Sequence, residues 1–410
     1  MKRTAVRISA QGIEAVVLLL MAIGTVFVFS ASASVQSNYD WKHFYRFTGL
    51  RNLLYFPLAV ICMYVAATVD YHRFDLRRIR WYHSLTPWFL GLSIVLLGLA
   101  LIPGIGQGIG EDKSFARRWL YIPLGSLKIS FQPSELAKWC TIIYLAAYLD
   151  RFEDTIKRFW KRFVPAWIVP GIIVVLIVTQ DFGTAAFIAL LSFILLLIGG
   201  SRLWHFLTPL PVILPAFYFA VVSSQTRLNR IKNFLEPGNL PYQAVQSLIA
   251  ISSHGLEGAG LGRGVTKYGH LPEDTSDFIF AVIAEEMGFG GCVVVLLLFI
   301  LLAVLGLIVI YRCRDRFGKL LASGIVLAIG IQAAINIGVV TVVLPTKGIP
   351  LPFVSAGGTS LLLTASAIGI LLNIARHNSE LGYYEPTKEV NWRFERKARG
   401  IGRTLGEGTQ

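Results

Sequence analysis

Charged residues are scarce in this chain of 410 residues. They make up 15% of the sequence, whereas hydrophobic residues make up 54%. Soluble domains carry about 25% charged residues, so the composition excludes an ordinary soluble protein. The apolar residues fall in long runs and do not alternate with polar ones. Runs of this kind are typical of helices that cross a lipid bilayer.

Cysteine is also rare, and its placement excludes two classes of site. Of the four cysteines, Cys62, Cys140 and Cys292 lie in apolar runs, and Cys313 lies in a predicted cytoplasmic loop. None lies in a large predicted external loop, so no extracytoplasmic disulfide is expected. The sequence has no CxxC pair, no His/Cys cluster typical of a structural metal, no low-complexity tract and no strong internal repeat.

The apolar runs predict an all-α, polytopic membrane protein with about ten transmembrane helices. The first run is longer than the apolar region of a signal peptide and is expected to remain as a helix. The eighth run is long enough to contain a short piece up to about Gly291, followed by the true crossing. The predicted spans lie near residues 13–34, 50–69, 84–104, 135–149, 165–180, 182–200, 204–223, 278–311, 319–344 and 357–375.

The net charge of +14 is explained by orientation in the membrane. With the N-terminus inside, 24 of the 38 Lys and Arg residues fall on the cytoplasmic side, as the positive-inside rule requires. No nucleic-acid module is predicted. The expected organisation is a cytoplasmic N-terminus (1–12), a membrane domain (13–376) with external loops 105–134 and 224–277, and a cytoplasmic tail (377–410).

The second external loop is too long for a simple connector. Its segment YQAVQSLIAI places Val245, Leu248, Ile249 and Ser252 on one helical face, which predicts an amphipathic helix at the membrane surface. Several glycines follow between residues 255 and 264. They form either a plain cluster of turns or a backbone that closely approaches a phosphate or sugar.

The segment FQPSELAK, residues 131–138, predicts a helix start with Ser134 as N-cap after Pro133. Glu135 and Lys138 are three residues apart and share a helical face. They form either a structural ion pair with a snorkelling lysine or a pair that lines a polar cavity and positions substrate. Gln132 and Ser134 belong to the same candidate substrate-binding set.

Asp277 lies where the second external loop meets a long apolar run, with Glu285 and Glu286 further along. Carboxylates at such positions are costly and call for a functional or structural reason. A helix N-cap is the structural alternative for Asp277. As a functional group at the water boundary, it could act as a general base on a sugar hydroxyl.

Several Lys and Arg residues lie on the predicted outer side, where the positive-inside rule does not expect them. They form either a solvated loop face or a binding surface for an anionic lipid headgroup. Lys347 adds an external cation within residues 344–360, where three prolines forbid a continuous helix. Irregular backbone at membrane depth must be buried in protein or line a cavity. The other external cations are Arg117, Arg118, Arg227, Arg230 and Lys232.

The sequence segments described above, in this order along the chain, resemble the SEDS family of bacterial membrane proteins (shape, elongation, division and sporulation). The resemblance covers about residues 12 to 376. The pattern is closer to the division branch than to the elongation branch. Departures from the family pattern are Thr275-Ser276 before the aspartate, Thr179-Gln180, and Ala356. The matching segments are RRWL, FQPSELAK, DFGTA, YQAVQSL, GLG, LPEDTSDFIFAVIAEEMGFGG and GIPLPFVSAGGTS.

The resemblance implies a ten-helix fold and peptidoglycan glycosyltransferase activity on lipid II, with Asp277 as the essential aspartate and Glu135 and Lys138 as the family's Glu/Lys pair. It also implies a complex with a class B penicillin-binding protein and work with other division proteins at the septum. A lipid II flippase, a recruiting scaffold and an elongation-type polymerase are the alternatives.

Our sequence-based hypothesis is that Asp277 deprotonates or orients the acceptor hydroxyl of lipid II. Undecaprenyl diphosphate then leaves. External cations stabilise its charge, because fixed positive charge should help most at the departure of the diphosphate. No cofactor is assigned, and a divalent cation, Mg²⁺ or Mn²⁺, is the alternative to these side chains. The candidate cations are Arg118, Arg227, Arg230 and Lys347.

Overall fold

The computed structural model is predominantly helical, as the apolar runs predict. It describes residues 2–33, 48–77, 82–102, 106–107, 118–124, 127–208, 211, 215, 218–219, 221–236, 238, 240–265, 271 and 275–380. The helices are α1 (Lys2–Ala33), α2 (Thr48–Thr68), α3 (Leu85–Leu101), α4 (Pro133–Arg151), α5 (Val164–Val178), α6 (Phe182–Ile198), α7 (Trp204–Leu207), α8 (Gln225–Leu235), α9 (Tyr242–Ser253), α10 (Ile279–Arg312), α11 (Arg316–Val340) and α12 (Gly358–Glu380).

A small antiparallel sheet occupies part of the first predicted external loop. Its strands are β1 (Gly106–Gln107), β2 (Trp119–Leu124) and β3 (Leu127–Phe131), in the order β1-β2-β3. In the β2–β3 hairpin, Leu120 pairs with Phe131. The sheet ends directly before α4, so the hairpin leads the chain into the FQPSELAK helix.

Most of the predicted spans are confirmed as helices of suitable length and polarity. Six described helical segments are long and apolar enough to cross a membrane, and α3 and α6 are shorter apolar helices. The predicted span 204–223 falls largely outside the described residues, apart from α7 and a few further positions. The count of ten therefore stays a prediction, while the multi-pass membrane architecture is clear.

Helix α4 lies at the centre of the molecule. Its apolar run is shorter than that of a helix that faces lipid, because other helices surround it. Of its 19 residues, 17 are buried, and it packs against α3, α6, α11 and α12. A helix surrounded by protein need not be apolar towards lipid, so it can hold polar side chains if their hydrogen bonds are satisfied. The polar motif FQPSELAK thus begins a helix at the core of the molecule.

One local prediction needs correction. Helix α4 begins at Pro133 with Gln132 at the N-cap position, and no side chain caps it. Ser134 is therefore inside the first turn and buried, not the N-cap. Pro133 has a φ angle suited to the first helical position and no N–H to satisfy there, so the helix starts two residues earlier than predicted.

The helix predicted in the second external loop is confirmed as α9, and the face predicted to lie on the membrane surface is turned away from the protein. Val245, Leu248, Ile249 and Ser252 are exposed, whereas the small side chains of Ala244, Ser247 and Ala250 are buried. Helix α9 packs against α10 and α11. The hydroxyl of Ser247 donates a hydrogen bond to the Val340 carbonyl (2.7 Å). Small residues allow this close approach of backbones.

Helix α10 is broken near its start, as its length predicts. The break lies at Gly288 (φ 63°, ψ −162°), three residues before the predicted position. All eight residues from Ile279 to Glu286 are buried, whereas the part after the break has many exposed apolar side chains. The first piece therefore lies inside the protein, and the second is the membrane crossing.

Candidate active site

Most of the predicted site residues come together because the helices alternate in direction. Helices α4, α6, α10 and α12 all begin at the same end of the molecule, and α11 ends there. An irregular segment, residues 341–357, joins α11 to α12 at this end. Residues far apart in the sequence therefore meet at one face, around the starts of these four helices.

Glu135 and Lys138 form a buried ion pair, as their spacing predicts. The Lys138 Nζ lies 2.8 Å from Glu135 Oε2 and 2.9 Å from Gln332 Oε1. The Ser360 hydroxyl donates a hydrogen bond to the same Glu135 oxygen (2.9 Å). Removing a charge pair from water is costly unless further hydrogen bonds complete it. Gln332 and Ser360 provide them.

A cavity of about 30 Å³ lies beside this pair. A volume of this size holds one or two waters and is too small for a sugar. A sugar must therefore bind nearer the surface, or the lining must move. Gln132 and Glu135 both face the cavity, whereas Ser134 is buried beside it. The lining residues are Gln132, Glu135, Thr184, Phe187, Gln332, Gly348, Ile349 and Pro350.

Asp277 is partly exposed in the turn that precedes α10, whose N-cap position is taken by Phe278. It is therefore not the N-cap, and the structural alternative for this residue is wrong. Its carboxylate lies against Gly348, where an added Cβ would come within 2.9 Å of Asp277 Oδ2. Asn336 Nδ2 donates a hydrogen bond to the Asp277 carbonyl (2.8 Å). The carboxylate is thus at the surface while its backbone is held from inside.

The two residues before the aspartate, which depart from the family pattern, are held through their backbone carbonyls. The Ala356 N–H donates to the Thr275 carbonyl (2.9 Å). The Ser355 hydroxyl donates to the Ser276 carbonyl (2.5 Å). Since backbone groups make these contacts, they do not depend on the identity of the side chains at 275 and 276.

The proline-rich segment that carries these partners is buried in protein, as expected for irregular backbone at membrane depth. Leu351, Phe353 and Val354 are buried, and Phe353 has a positive φ of 65°. Gly24 of α1 packs directly on this segment, since a Cβ there would lie 2.6 Å from the Val354 Cα. The surrounding helices therefore hold the segment in a strained shape.

Arg118 and Lys347 both interact electrostatically with Asp181. Arg118 Nε donates to the Gln180 carbonyl (2.8 Å), and its Nη1 lies 3.5 Å from Asp181 Oδ2. Asp181 also caps α6 by accepting from the Thr184 N–H (3.1 Å). Burial lowers the pKa of Lys347, and the negative charge of Asp181 opposes that shift. Two of the four candidate cations are thus brought together.

The other two candidate cations lie elsewhere. Arg230 is exposed on α8, and Arg227 lies on the same helix with its side chain outside the described residues. Helix α8 packs little against the other described helices and strands. The structure therefore gives no geometry that joins these two arginines to Asp277.

The glycines after α9 pack against the break in α10. The Ala259 N–H donates to the Glu285 carbonyl (2.8 Å), and the Gly260 N–H donates to the Glu286 carbonyl (2.9 Å). A Cβ on Gly258 would lie 2.4 Å from the Gly288 nitrogen. These glycines therefore allow close contact with another backbone, and no sugar or phosphate is needed to explain them.

The side chains of Glu285 and Glu286 are also held inside the protein. Glu285 Oε1 accepts from the Val265 N–H (2.7 Å), and Glu286 accepts from the Ser30 hydroxyl through both oxygens (2.8 and 3.0 Å). Both side chains are buried. These contacts favour a structural role for the two glutamates.

Sequence reasoning missed two amides on α11. Gln332 and Asn336 are buried and four residues apart, on one face of the helix. Gln332 Nε2 donates to the Pro350 carbonyl (2.9 Å), and Asn336 Nδ2 donates to the Ile349 carbonyl (2.8 Å). Two amides at helical spacing in an apolar run are a detectable signal, because polar side chains in membrane helices are usually bonded to a partner.

The fold and site together define a multi-pass membrane protein with a polar, partly exposed carboxylate site at one end of its helices. The sequence matches the family FTSW_RODA_SPOVE, described as cell cycle protein, over residues 11–380. The chain therefore belongs to the FtsW/RodA/SpoVE family, the SEDS family that its motifs resemble.

Two relatives are similar to this chain along almost their whole length. A probable peptidoglycan glycosyltransferase FtsW from Geobacter sp. (strain M18) is 37% identical over 374 residues, which cover 89% of this chain and 97% of the relative. Stage V sporulation protein E from Bacillus subtilis (strain 168) is 36% identical over 368 residues, covering 88% of this chain and 96% of the relative.

Two solved structures share the fold. One is a chain from a peptidoglycan synthase complex that coordinates polymerization and crosslinking. It has a TM-score of 0.71 and 26% identity, and the match covers 90% of this chain and 98% of that one. The other is the rod shape determining protein RodA from Thermus thermophilus (TM-score 0.61, 26% identity, 90% and 96% covered).

Proposed function

We propose that this chain, a peptidoglycan glycosyltransferase of the FtsW/RodA/SpoVE family, polymerises lipid II at the outer face of the cytoplasmic membrane with Asp277 as general base. One observation carries the proposal. Asp277 is a partly exposed carboxylate, not a helix cap, and its backbone is fixed by Asn336 from within the core. A base must reach substrate and still be held in place, and this placement satisfies both needs.

The chemistry is an inverting displacement. Asp277 accepts the proton of the acceptor 4-hydroxyl while that oxygen forms a bond to the anomeric carbon of the donor. The bond between this carbon and the diphosphate oxygen breaks, and its electron pair leaves with undecaprenyl diphosphate. Arg118 and Lys347, which both interact with Asp181, stabilise the leaving charge in this proposal. Arg227 and Arg230 would attract the anionic headgroup from outside.

Glu135 and Lys138 have a different role in this proposal. Lys138 is only 1% exposed and its charge is balanced by Glu135, so it is poorly placed to meet a diphosphate. The pair instead shapes the small cavity behind the site. Substrate contact from this motif would come through Gln132 and Glu135, which line that cavity.

A divalent cation, Mg²⁺ or Mn²⁺, is a further proposal. Among the described residues, no three His, Cys, Asp or Glu side chains form a metal-binding group. Magnesium often binds through one or two carboxylates together with substrate phosphates. Such an ion would therefore take most of its ligands from the diphosphate of the substrate. Chelation followed by readdition of Mg²⁺ or Mn²⁺ during polymerisation tests this.

We further propose that both termini are cytoplasmic and that the chain works at the septum in cell-wall synthesis during division. Relatives named FtsW support the division role, although RodA-type elongation is the alternative. The partners would be a class B penicillin-binding protein, which supplies the transpeptidase, and other division proteins. The similarity to a chain of a peptidoglycan synthase complex supports such a partner.

The decisive test uses purified, partner-bound protein and labelled lipid II. Asp277→Asn should abolish glycan polymerisation while leaving folding and partner binding intact. Asp154→Asn, at an exposed residue near the opposite end of α4, is the matched control and should polymerise normally. Normal polymerisation by folded Asp277→Asn would refute the base assignment. Translocation of lipid II, read separately in vesicles, distinguishes the polymerase from a flippase.

A further inference from the structure

Two amides on α11 connect the buried ion pair to the backbone of Asp277. Gln332 Oε1 accepts from Lys138 Nζ (2.9 Å), and Gln332 Nε2 donates to the Pro350 carbonyl (2.9 Å). One turn further on, Asn336 Nδ2 donates to both the Ile349 and the Asp277 carbonyls, each at 2.8 Å. The amides are only 3% and 1% exposed, so water cannot easily replace these bonds.

We propose that Gln332 and Asn336 are positioning residues that set the place of the Asp277 carboxylate. This inference rests on the proposed function, because it presumes that Asp277 is the base. Both amides act through the backbone carbonyls that they bind. Asn336 holds Asp277 directly through its carbonyl, and Gln332 fixes the neighbouring segment, which would otherwise shift against the carboxylate.

The carboxylate has little freedom on the side of that segment. Gly348 lies so close to Asp277 Oδ2 that a Cβ would come within 2.9 Å. The next two residues, Ile349 and Pro350, are the ones whose carbonyls the two amides bind. A shift of this short stretch would therefore move the wall against which Asp277 rests. Misplacement of a catalytic group by about 1 Å can cost on the order of 10²-fold in rate.

Pure packing does not explain the choice of amides. Ile349 and Pro350 lie in irregular backbone, where no regular helix or strand supplies donors to their carbonyls. A donor must therefore come from another element. Asn336 supplies one –NH₂ group to two carbonyls, and an acid of the same shape would offer no donor when ionised. Replacing Asn336 by aspartate therefore tests the chemical identity of the amide separately from its volume.

The experiment compares Asn336→Asp, Asn336→Ala and Gln332→Glu in the partner-bound protein, using lipid II polymerisation across pH. The introduced carboxylate of Asn336→Asp repels both carbonyls when ionised but can donate one hydrogen bond when protonated. Its activity relative to the unmodified protein should therefore rise as the pH falls. For Asn336→Ala the relative activity should be low, on the order of 10²-fold down, and independent of pH.

In the Asn336 variants, kcat should fall while KM changes little, because the contacts to substrate are intact. Gln332→Glu keeps an acceptor for Lys138 but loses the donor to Pro350, and should lower kcat less than Asn336→Asp. The matched control is Asn373→Asp, because Asn373 makes a similar contact to the Ala67 carbonyl (2.9 Å) near the opposite end of the molecule. It should lower thermal stability without changing the pH profile.

Two results would overturn the inference. One is an unchanged kcat per folded molecule in the Asn336 variants. The other is a pH-independent loss in Asn336→Asp that simply parallels its melting temperature, as in Asn373→Asp. Neither result affects the base assignment, which Asp277→Asn tests by itself. An active Asp277→Asn variant would refute the proposed function whatever the Asn336 variants do.

Discussion

Asp181 supports the positive charge of Lys347, which burial disfavours. Because burial lowers the pKa of Lys347, this side chain loses its proton at a lower pH than an ordinary lysine. If its charge stabilises the leaving diphosphate, polymerisation should decline as the pH rises through that lowered pKa. Asp181→Asn removes the opposing Coulombic effect, so the pKa of Lys347 should fall further. The alkaline limb of the pH–rate profile should then move to lower pH.

Asp181→Asn is suited to this test because asparagine can still cap α6 by accepting from Thr184. The melting temperature should change little, which separates the charge effect from unfolding. Lys347→Arg is the complementary variant, since arginine stays protonated. Its alkaline limb should move to higher pH. Unmoved limbs in both variants would show that Lys347 does not govern the alkaline decline.

The buried Glu135–Lys138 pair gives a second prediction at the scale of residues. Lys138→Met leaves the Glu135 carboxylate buried without its cation, which should cost about 3–5 kcal/mol. The double variant Glu135→Gln/Lys138→Met removes both charges and should be less destabilised than Lys138→Met alone. Thermal unfolding in the same detergent measures the difference. Equal or greater destabilisation of the double variant would contradict this account of the pair.

The site could be predicted from the sequence only where the signal was local. Asp277, Glu135 and Lys138 stand out because they are charged residues at the edge of apolar runs. The roles of Gln332 and Asn336 depend on carbonyls from other segments, and no spacing along α11 identifies those acceptors. Their amides could have been noticed, but their partners required the fold.

The break in α10 is the clearest prediction at the scale of elements. Gly288 has φ 63° and ψ −162°, a region that only glycine adopts readily. A Cβ there would also lie 2.4 Å from the Leu256 carbonyl oxygen. Gly288→Ala should therefore destabilise the protein by at least about 1–3 kcal/mol from backbone strain, measured as a lower melting temperature.

Gly290 provides the matched control for that variant. It lies two residues further along the same helix, and a Cβ there would meet nothing within 4 Å. Gly290→Ala should be neutral or slightly stabilising, because alanine favours a helix by about 1 kcal/mol over glycine. If the two variants melted at the same temperature, the break would not need a glycine.

Element boundaries and packing faces were less predictable than the elements themselves. The apolar runs predict most helices, and the length of the eighth run predicts a break within it. The packing face of α9 was not predictable from hydrophobicity, because in lipid the exposed side can be the apolar one. There Ala244, Ser247 and Ala250 face the protein because they allow close approach, while Val245 and Ile249 face outwards.

At the scale of the whole molecule, the two ends are built differently. The site end holds irregular backbone, a partly exposed aspartate and a small cavity. The opposite end ties helix ends together through polar side chains. Tyr71 donates to Asp315 (2.6 Å), and Asn378 donates to the sulfur of Cys313 (3.1 Å). These ties join the segment after α2 to the start of α11, and the end of α10 to α12. They therefore favour a fixed end opposite the end where substrate is processed.

The orientation of these two ends in the membrane is the last prediction. The free cysteines at 62, 140, 292 and 313 are first replaced by alanine, and single cysteines are then introduced. Arg230→Cys lies on exposed α8 in the second predicted external loop, whereas Lys157→Cys lies in an exposed turn after α4, at the end opposite the site. A membrane-impermeant maleimide should label Arg230→Cys in spheroplasts and Lys157→Cys only after permeabilisation. The reverse pattern would place Asp277 in the cytoplasm and exclude transfer at the outer face.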